Sequence, residues 1–280
     1  MNILASIEHF VQLRFGDFFS SIEAFYLKDI LILIQGILEL GHHSISSIAR
    51  DPLNKVAHTT LTRFFNGNPN FWKNLEKLIQ KVILSTSSEK MILVVDDTQL
   101  ARRSKKIPFT TLTYDHNQKR YCQAQVLLTV GRVSDGFFPL EMMFSNSKEG
   151  PTKIERLIDW LKENEIRDAV LLGDSWYTNS HVVESYFKTA KQHFSLGKAA
   201  LSTEDGHKHW TILVILAYLI FNDLHRFILE KTKSETKRYK VFETIQRAIS
   251  MLRSLLLEQV KIDFHLLDSC FRSFSLLPFY

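Results

Sequence analysis

The sequence predicts an α/β protein in which a mixed β-sheet lies between helical regions at the two ends of the chain. β-branched runs fall between residues 91 and 172, whereas apolar residues at helical spacing dominate on either side of them. Glycine and proline number only 10 and 6 in 280 residues, which disfavours a loop-rich all-β fold. We therefore divide the chain into a helical region at 1–86, a sheet-containing domain at 87–225 and a helical region at 226–280.

The first region is predicted to be helical throughout. Apolar residues are dense from Ile30 to Leu40, and Phe71 to Leu84 has an amphipathic pattern. Between them, Asn66-Gly67-Asn68-Pro69 is typical of a turn. A pair of helices that carries basic residues such as Arg63 is compatible with DNA binding, but helical pairs are common and the pattern alone is weak.

The order of elements in the middle of the chain predicts the topology of the sheet. Strands are expected at Met91–Val95, Gln123–Val130, Phe137–Phe144 and Ala169–Leu172. A capping box, Thr152-x-x-Glu155, opens a helix before the last of these strands, and a second helix is expected from Asn179 to Phe194. Three strands, a helix and a fourth strand begin a ribonuclease H-like sheet, in which the first and fourth strands are adjacent and parallel. Helix is predicted again from Trp210 to about Leu267.

Two acids occupy matched places in this arrangement. Asp96 is expected to end the first strand and Asp174 the fourth, so that the two would be neighbours in space although 78 residues separate them. Two adjacent carboxylates repel each other unless a cation lies between them, and Mg²⁺ or Mn²⁺ prefers such oxygen ligands. The alternative is that acids are simply common where strands run into loops.

Composition places the chain in a reducing compartment and allows a nucleic-acid partner. The formal net charge is +5, which permits DNA binding without showing it. The two cysteines, Cys122 and Cys270, form neither a disulfide framework nor a zinc motif. The apolar runs at 28–40 and 211–221 fall short of the roughly 20 residues that a membrane span needs. We therefore expect a cytoplasmic, nucleoid-associated protein and no membrane partner.

Three motifs resemble those of bacterial insertion-sequence DDE transposases. Val94-Val-Asp-Asp-Thr98 resembles the first-acid motif, with Asp96 favoured over Asp97 as the ligand, and Leu171-Leu-Gly-Asp-Ser-Trp-Tyr177 is similar to the second-acid motif. Glu184 and Lys191, seven residues apart, keep the final spacing of the third-acid helix. The resemblance implies that Asp96, Asp174 and Glu184 are catalytic and bind Mg²⁺ or Mn²⁺. It also implies double-stranded DNA as partner, at transposon ends and in target DNA, and leaves room for a homodimer.

The sequence departs from the family pattern between the second and third acids. Only 10 residues separate Asp174 from Glu184, where family members place a fifth strand and often a long insertion. The family's arginine position in the third motif is Ser180 here. The catalytic domain is therefore predicted to be internally shortened after Asp174, with its activity impaired.

Several basic residues are candidates for contacts with DNA phosphates: Arg63, Arg102, Arg103, Lys188 and Lys191. The alternative for each of these residues is an ordinary solvated cation on the surface. For Glu184, the alternative to a metal ligand is an ion pair with Lys188. Three functions are open at this point. The first is a transposase, the second a catalytically inactive DNA-binding remnant of one, and the third another ribonuclease H-like nuclease. A helical scaffold protein is the least consistent with the acids.

Overall fold

The structure, a computed structural model, describes residues 16–38, 44–51, 56–85, 91–115, 118–134, 136–145, 150–166, 168–173, 180–199 and 201–232. The elements within these ranges are, in chain order, α1 (Ala24–Leu38), α2 (Ile45–Arg50), α3 (His58–Asn66), α4 (Pro69–Leu84), β1 (Met91–Ala101), β2 (Thr110–Asp115), β3 (Arg120–Val133), β4 (Phe137–Ser145), α5 (Lys153–Glu163), β5 (Ala169–Gly173), α6 (Ser180–His193) and α7 (Glu204–Thr232). The predicted helix beyond residue 232 lies outside the described residues.

The chain forms two compact units, one of residues 1–64 and 217–280 and the other of residues 65–216. In the first unit, α1 and α2 pack closely: a Cβ at Gly36 would lie 2.4 Å from Ile48 Cγ1, so only glycine fits there. A capping box between Ser44 and Ser47 satisfies the amino end of α2. The predicted domain boundaries stay a prediction.

The second unit contains the sheet. β1 pairs in parallel with β5 on one side and antiparallel with β3 on the other. The opposite edge of β3 pairs with β2 over residues 120–125 and with β4 over residues 126–133. The mixed α/β fold is therefore confirmed, and the first and fourth predicted strands are adjacent and parallel, as expected.

Two details of the predicted sheet are wrong. β1 does not end at Val95 but continues to Ala101, because its pairing with β3 continues from Asp96↔Thr129 to Ala101↔Ala124. Asp96 thus lies within a strand. β2 was not predicted at all, although Thr110–Tyr114 is rich in β-branched and aromatic residues.

Helices cover both faces of the sheet. One face of the sheet carries Asp96, Thr129 and Met142, which are register partners on β1, β3 and β4. On this face, Tyr186 of α6 donates a hydrogen bond to Met142 Sδ at 3.2 Å. We call this the α6 face. Val95, Val130 and Glu141 share the other face, where Gln80 of α4 donates to Glu141 Oε2 at 2.9 Å. We call this the α4 face.

α4 is tied to the sheet at its carboxyl end as well. The buried side chain of Arg132 on β3 donates from Nη1 to the carbonyl oxygens of Ile83 at 2.7 Å and Leu84 at 3.3 Å. These carbonyls are among those that a helix leaves unpaired at its last turn, and a cation there also complements the helix dipole. The arginine therefore fixes α4 against the α4 face.

α7 is apolar over much of its length. Residues Glu204–Phe227 are long and apolar enough to cross a membrane by length and composition alone, and 56% of their most apolar stretch is buried in the protein. Every side chain from Trp210 to Ala217 is buried. A helix that is apolar on all sides and buried in this way is typical of a protein core.

Candidate active site

The parallel pairing of β1 with β5 sets the position of the first predicted acid. Val95 lies opposite Gly173, the last residue of β5. Asp96 follows Val95 directly, is half-buried and points to the α6 face, where its Oδ1 accepts a hydrogen bond from the Asp97 amide at 2.8 Å. Asp174, the residue after Gly173, lies outside the described residues, as does the segment to residue 179.

Asp96 and Asp97 are separated by the alternation of the strand. Successive side chains of a strand point to opposite faces, so Asp97 points to the α4 face. There its carboxylate forms an ion pair with Lys153 of α5, and both side chains are partly exposed. Of the two, Asp96 alone shares a face with the helix that carries Glu184; the choice of Asp96 as ligand stays a prediction.

α6 presents two different kinds of charged residue. Glu184 and Lys188 are exposed. Lys191 turns inward, and its Nζ donates to Thr98 Oγ1 at 2.5 Å and to the Gln99 carbonyl at 3.2 Å. Burial lowers the pKa of Lys191, and the negative charge of Asp96 opposes that shift. Lys191 therefore fastens the second half of α6 to β1. Its partner Thr98 is the next side chain after Asp96 on the same face of the strand.

The structure does not bring Glu184 into a cluster with other acids. Glu184 precedes Lys191 by seven residues, which is about 10 Å along a helix axis. Among the described residues, which exclude Asp174, no three His, Cys, Asp or Glu side chains are placed so that they could hold a metal ion. The assignment of Glu184 as third ligand stays a prediction.

The basic candidates fall into two groups. Arg63, Arg103 and Lys188 are exposed. The guanidinium of Arg102 is half-buried, donates from Nε to Gln125 Oε1 at 2.8 Å and also donates to the Gly197 carbonyl. Burial lowers the pKa of Arg102 to about 10. Arg102 thus joins the end of β1 to β3 and to the turn after α6, a role that nothing in the sequence indicates.

Further titratable groups lie in the interior of the unit. Burial raises the pKa of Glu141 well above its ordinary value, and the neighbouring carboxyl of Glu76 raises it further. His209 donates from Nδ1 to the Phe65 carbonyl at 2.6 Å and stacks on Trp72 with ring centroids 4.5 Å apart. Burial lowers the pKa of His209, so that a neutral, structural histidine results. Sequence reasoning missed the glutamates, because residues 76 and 141 meet only in the folded sheet.

Comparison with known proteins finds one similar family. Residues 17–148 match a family model described as DDE superfamily endonuclease, a span that includes Asp96 and ends before β5. No curated protein matches the chain. No solved structure matches it either. Over residues 17–148, the chain is therefore similar to the DDE superfamily of endonucleases.

Proposed function

We propose that the protein is a DNA transposase by descent, which cleaves phosphodiester bonds and transfers strands at the ends of a mobile element. The observation that carries this proposal is the register of β1 and β5, in a chain of DDE endonuclease type. It sets the residue before Asp96 opposite the residue before Asp174. Asp96 follows Val95 and Asp174 follows Gly173 in the sequence, and on this basis the proposal assigns the two acids to one site. Double-stranded DNA is the substrate, and a nucleoid-associated, cytoplasmic location follows from it.

The residues present fit a divalent cation in part. The Asp96 carboxylate offers the oxygen donor that Mg²⁺ and Mn²⁺ prefer, and its half-buried position restricts access of solvent. Asp174 and Glu184 would supply the other carboxylates. When bound, such ions polarise a phosphodiester and make water or a 3′-hydroxyl a better nucleophile. The protein's own contribution is to hold Asp96 on a strand paired on both sides, so that the carboxylate is fixed before DNA arrives.

We assign the first contacts with DNA to the exposed cations Arg63, Arg103 and Lys188. Cations on the surface can meet phosphates without breaking bonds inside the protein, and each contact releases counterions from DNA. Arg102 and Lys191 would first have to exchange their internal hydrogen bonds for phosphates. Their predicted DNA contacts therefore carry less weight in this proposal than their roles within the fold.

A second candidate function is a DNA-binding relative that has lost its catalysis. The exposed position of Glu184, about 10 Å along the axis from the anchored Lys191, favours it. A displacement of even about 1 Å at a catalytic group can reduce a rate strongly. In this form the protein would still occupy element ends, where it would compete with an intact transposase.

One set of assays distinguishes the two candidates. The full chain is incubated with duplexes that carry the native element's ends, with Mg²⁺ or Mn²⁺, and both cleavage and strand transfer are measured. Binding to the same duplexes is measured at increasing salt. Salt-sensitive binding with cleavage that Asp96→Asn removes supports the transposase. Salt-sensitive binding without cleavage supports the inactive relative. Absence of duplex binding at low salt contradicts both.

A further inference from the structure

The hairpin of β2 and β3 extends beyond the rest of the sheet. β3 begins at Arg120, but β1 pairs with it only from Ala124 onward. Over residues 120–123, β3 pairs with β2 alone among the described strands. We call residues 110–115 and 120–125 the β2–β3 ribbon. Its outer half is a two-stranded arm that is tied back to β1, where Gln99 Nε2 donates to the Tyr114 carbonyl at 3.1 Å.

One face of the β2–β3 ribbon is apolar and exposed. Tyr114 and Tyr121 lie directly opposite each other, with ring centroids 5.2 Å apart and planes at 69°. Tyr121 is 68% exposed, Leu112 58% and Tyr114 38%. The pairing Leu112↔Gln123 places the leucine beside the tyrosines on the same face. Large apolar side chains grouped in this way on a projection are unusual unless they contact a partner.

The charge at the end of the β2–β3 ribbon indicates the kind of partner. Lys119 and Arg120 are both exposed at the tip, where Lys119 has a positive φ of 50°. Asp115, opposite Arg120, offsets one of the two positive charges. A surface that combines aromatic rings with a net positive charge suits a nucleic-acid strand: bases stack on the rings and phosphates meet the cations.

The apolar face of the β2–β3 ribbon lies on the same side of the sheet as Asp96. Tyr121 and Thr129 are eight residues apart on β3, so their side chains point to the same side of the sheet, and Thr129 is the register partner of Asp96. Eight residues of strand span about 26 Å. Because Gln125 and Leu127, which lie between the two on this face, are fully buried, the tyrosines form a surface separate from the Asp96 site.

We propose that the β2–β3 ribbon is a stacking surface for unpaired DNA bases, which lie on Tyr114 and Tyr121 while their phosphates meet Lys119 and Arg120. The inference rests on the proposed function for the choice of DNA as the ligand, and it adds a preference for a single-stranded segment. Apolar stacking accepts any base, so the surface would not read sequence.

The test measures binding of the full chain to a labelled oligothymidine and, separately, to a duplex that carries the element's end. In Tyr114→Ala/Tyr121→Ala we expect oligothymidine affinity to fall about tenfold or more, as the loss of base stacking predicts. Tyr114→Phe/Tyr121→Phe should restore it, because the rings remain. Thr113→Ala, on the opposite face of the same ribbon, is the matched control and should bind as the wild type does. Lys119→Gln/Arg120→Gln should reduce the dependence of binding on salt.

Three results would overturn the inference. The first is wild-type protein that binds the duplex but not oligothymidine, which would leave the proposed function standing. The second is equal binding by the alanine variant and the Thr113→Ala control. The third is a change of sedimentation in the alanine variant with unchanged DNA affinity, which would assign the tyrosines to a contact between two copies of the chain. Failure of the proposed function has a different signature, the loss of duplex binding.

Discussion

Val95 of β1 lies directly opposite Gly173 of β5, and each immediately precedes one of the two acids that we assign to the metal site. Asp96→Asn and Asp174→Asn should therefore each reduce metal-dependent cleavage of end-bearing DNA about a hundredfold or more, because each removes a charged oxygen ligand from the ion. The measurement is product formation at saturating DNA in Mg²⁺ and in Mn²⁺. Binding of DNA should be retained in both variants.

Asp97→Asn is the matched control for Asp96→Asn. Asp97 points to the other face and pairs with Lys153, and ion pairs as exposed as this one contribute about 0–1 kcal/mol to stability. We expect its cleavage rate and melting temperature to stay close to those of the wild type. Equal loss of cleavage in both variants would show that the first ligand is not confined to the α6 face.

If the short connection after Asp174 impairs the site as predicted, Glu184→Gln should change cleavage and metal binding very little. Glu184 is exposed, and the anchor of α6 at Lys191 is two helical turns away from it. The comparison is with Asp96→Asn in the same cleavage assay and in a Mn²⁺ titration. If the wild type cleaves robustly and Glu184→Gln does not, the short connection after Asp174 builds a working third ligand, and the predicted impairment is wrong.

Lys191→Met should destabilise the protein by about 1–3 kcal/mol, because it leaves the buried hydroxyl of Thr98 without its donor. Methionine keeps most of the length of the side chain, so packing along its stem changes little. Lys188→Met, three residues away and exposed, is the control and should stay within about 0.5 kcal/mol. Denaturant unfolding measures both. A Lys191→Met variant as stable as the control would show that α6 is held mainly by its apolar contacts.

Stability should depend on pH through Glu141. The folded-state pKa of Glu141 lies above its unfolded value, so the folded protein binds more protons at this site. The contribution of Glu141 to the free energy of unfolding is fully present below the ordinary glutamate pKa and is lost as pH rises through the raised pKa. Glu76, whose pKa burial also raises, acts in the same direction, and the positive charges of Lys208 and Lys73 oppose it.

Glu141→Gln removes the titration and keeps an acceptor for Gln80 Nε2. As pH rises above 4.5, the melting temperature of this variant should fall less steeply than that of the wild type. His207 affects the pH dependence of stability with the opposite sign. Because both proteins contain His207, its effect cancels when the two are compared. Its pKa is lowered to about 4, chiefly by burial, so that His207 costs stability as pH falls below its ordinary value. Parallel curves for the two proteins would contradict the assignment.

The sheet could be predicted because its strands are apolar runs bounded by turn residues, as in Met91–Val95 and Phe137–Phe144. β2 escaped prediction because its threonines and tyrosine lack an apolar core-facing pattern; its partner β3 stabilises it. The extension of β1 past Asp96 has the same cause, since strand pairing keeps polar residues in a strand. These are tertiary effects on weak local preferences.

The candidate site was predictable only where a motif carries it. Asp96 and Glu184 stand in recognisable patterns, whereas the inward turn of Lys191 and the internal bonds of Arg102 depend on partners far away in sequence. A lysine at helical spacing is ordinarily solvated. Here the end of α6 lies over β1, and Thr98 and the Gln99 carbonyl give the ammonium acceptors that water would otherwise provide.

β3 pairs with β1 along one edge and with β2 and β4 in succession along the other. The amides in the middle of this strand point alternately to partners on its two sides, so each is hydrogen-bonded and exchanges with solvent only when its own pairing opens. Leu127, Thr129 and Val130, which are also buried, should thus be among the last backbone hydrogens to exchange in deuterated buffer. At the other extreme, the amides of Arg120 to Gln123, paired on one side only, should exchange early. A single strand would then report, from one end to the other, both the global unfolding of the unit and the local opening of its projecting arm.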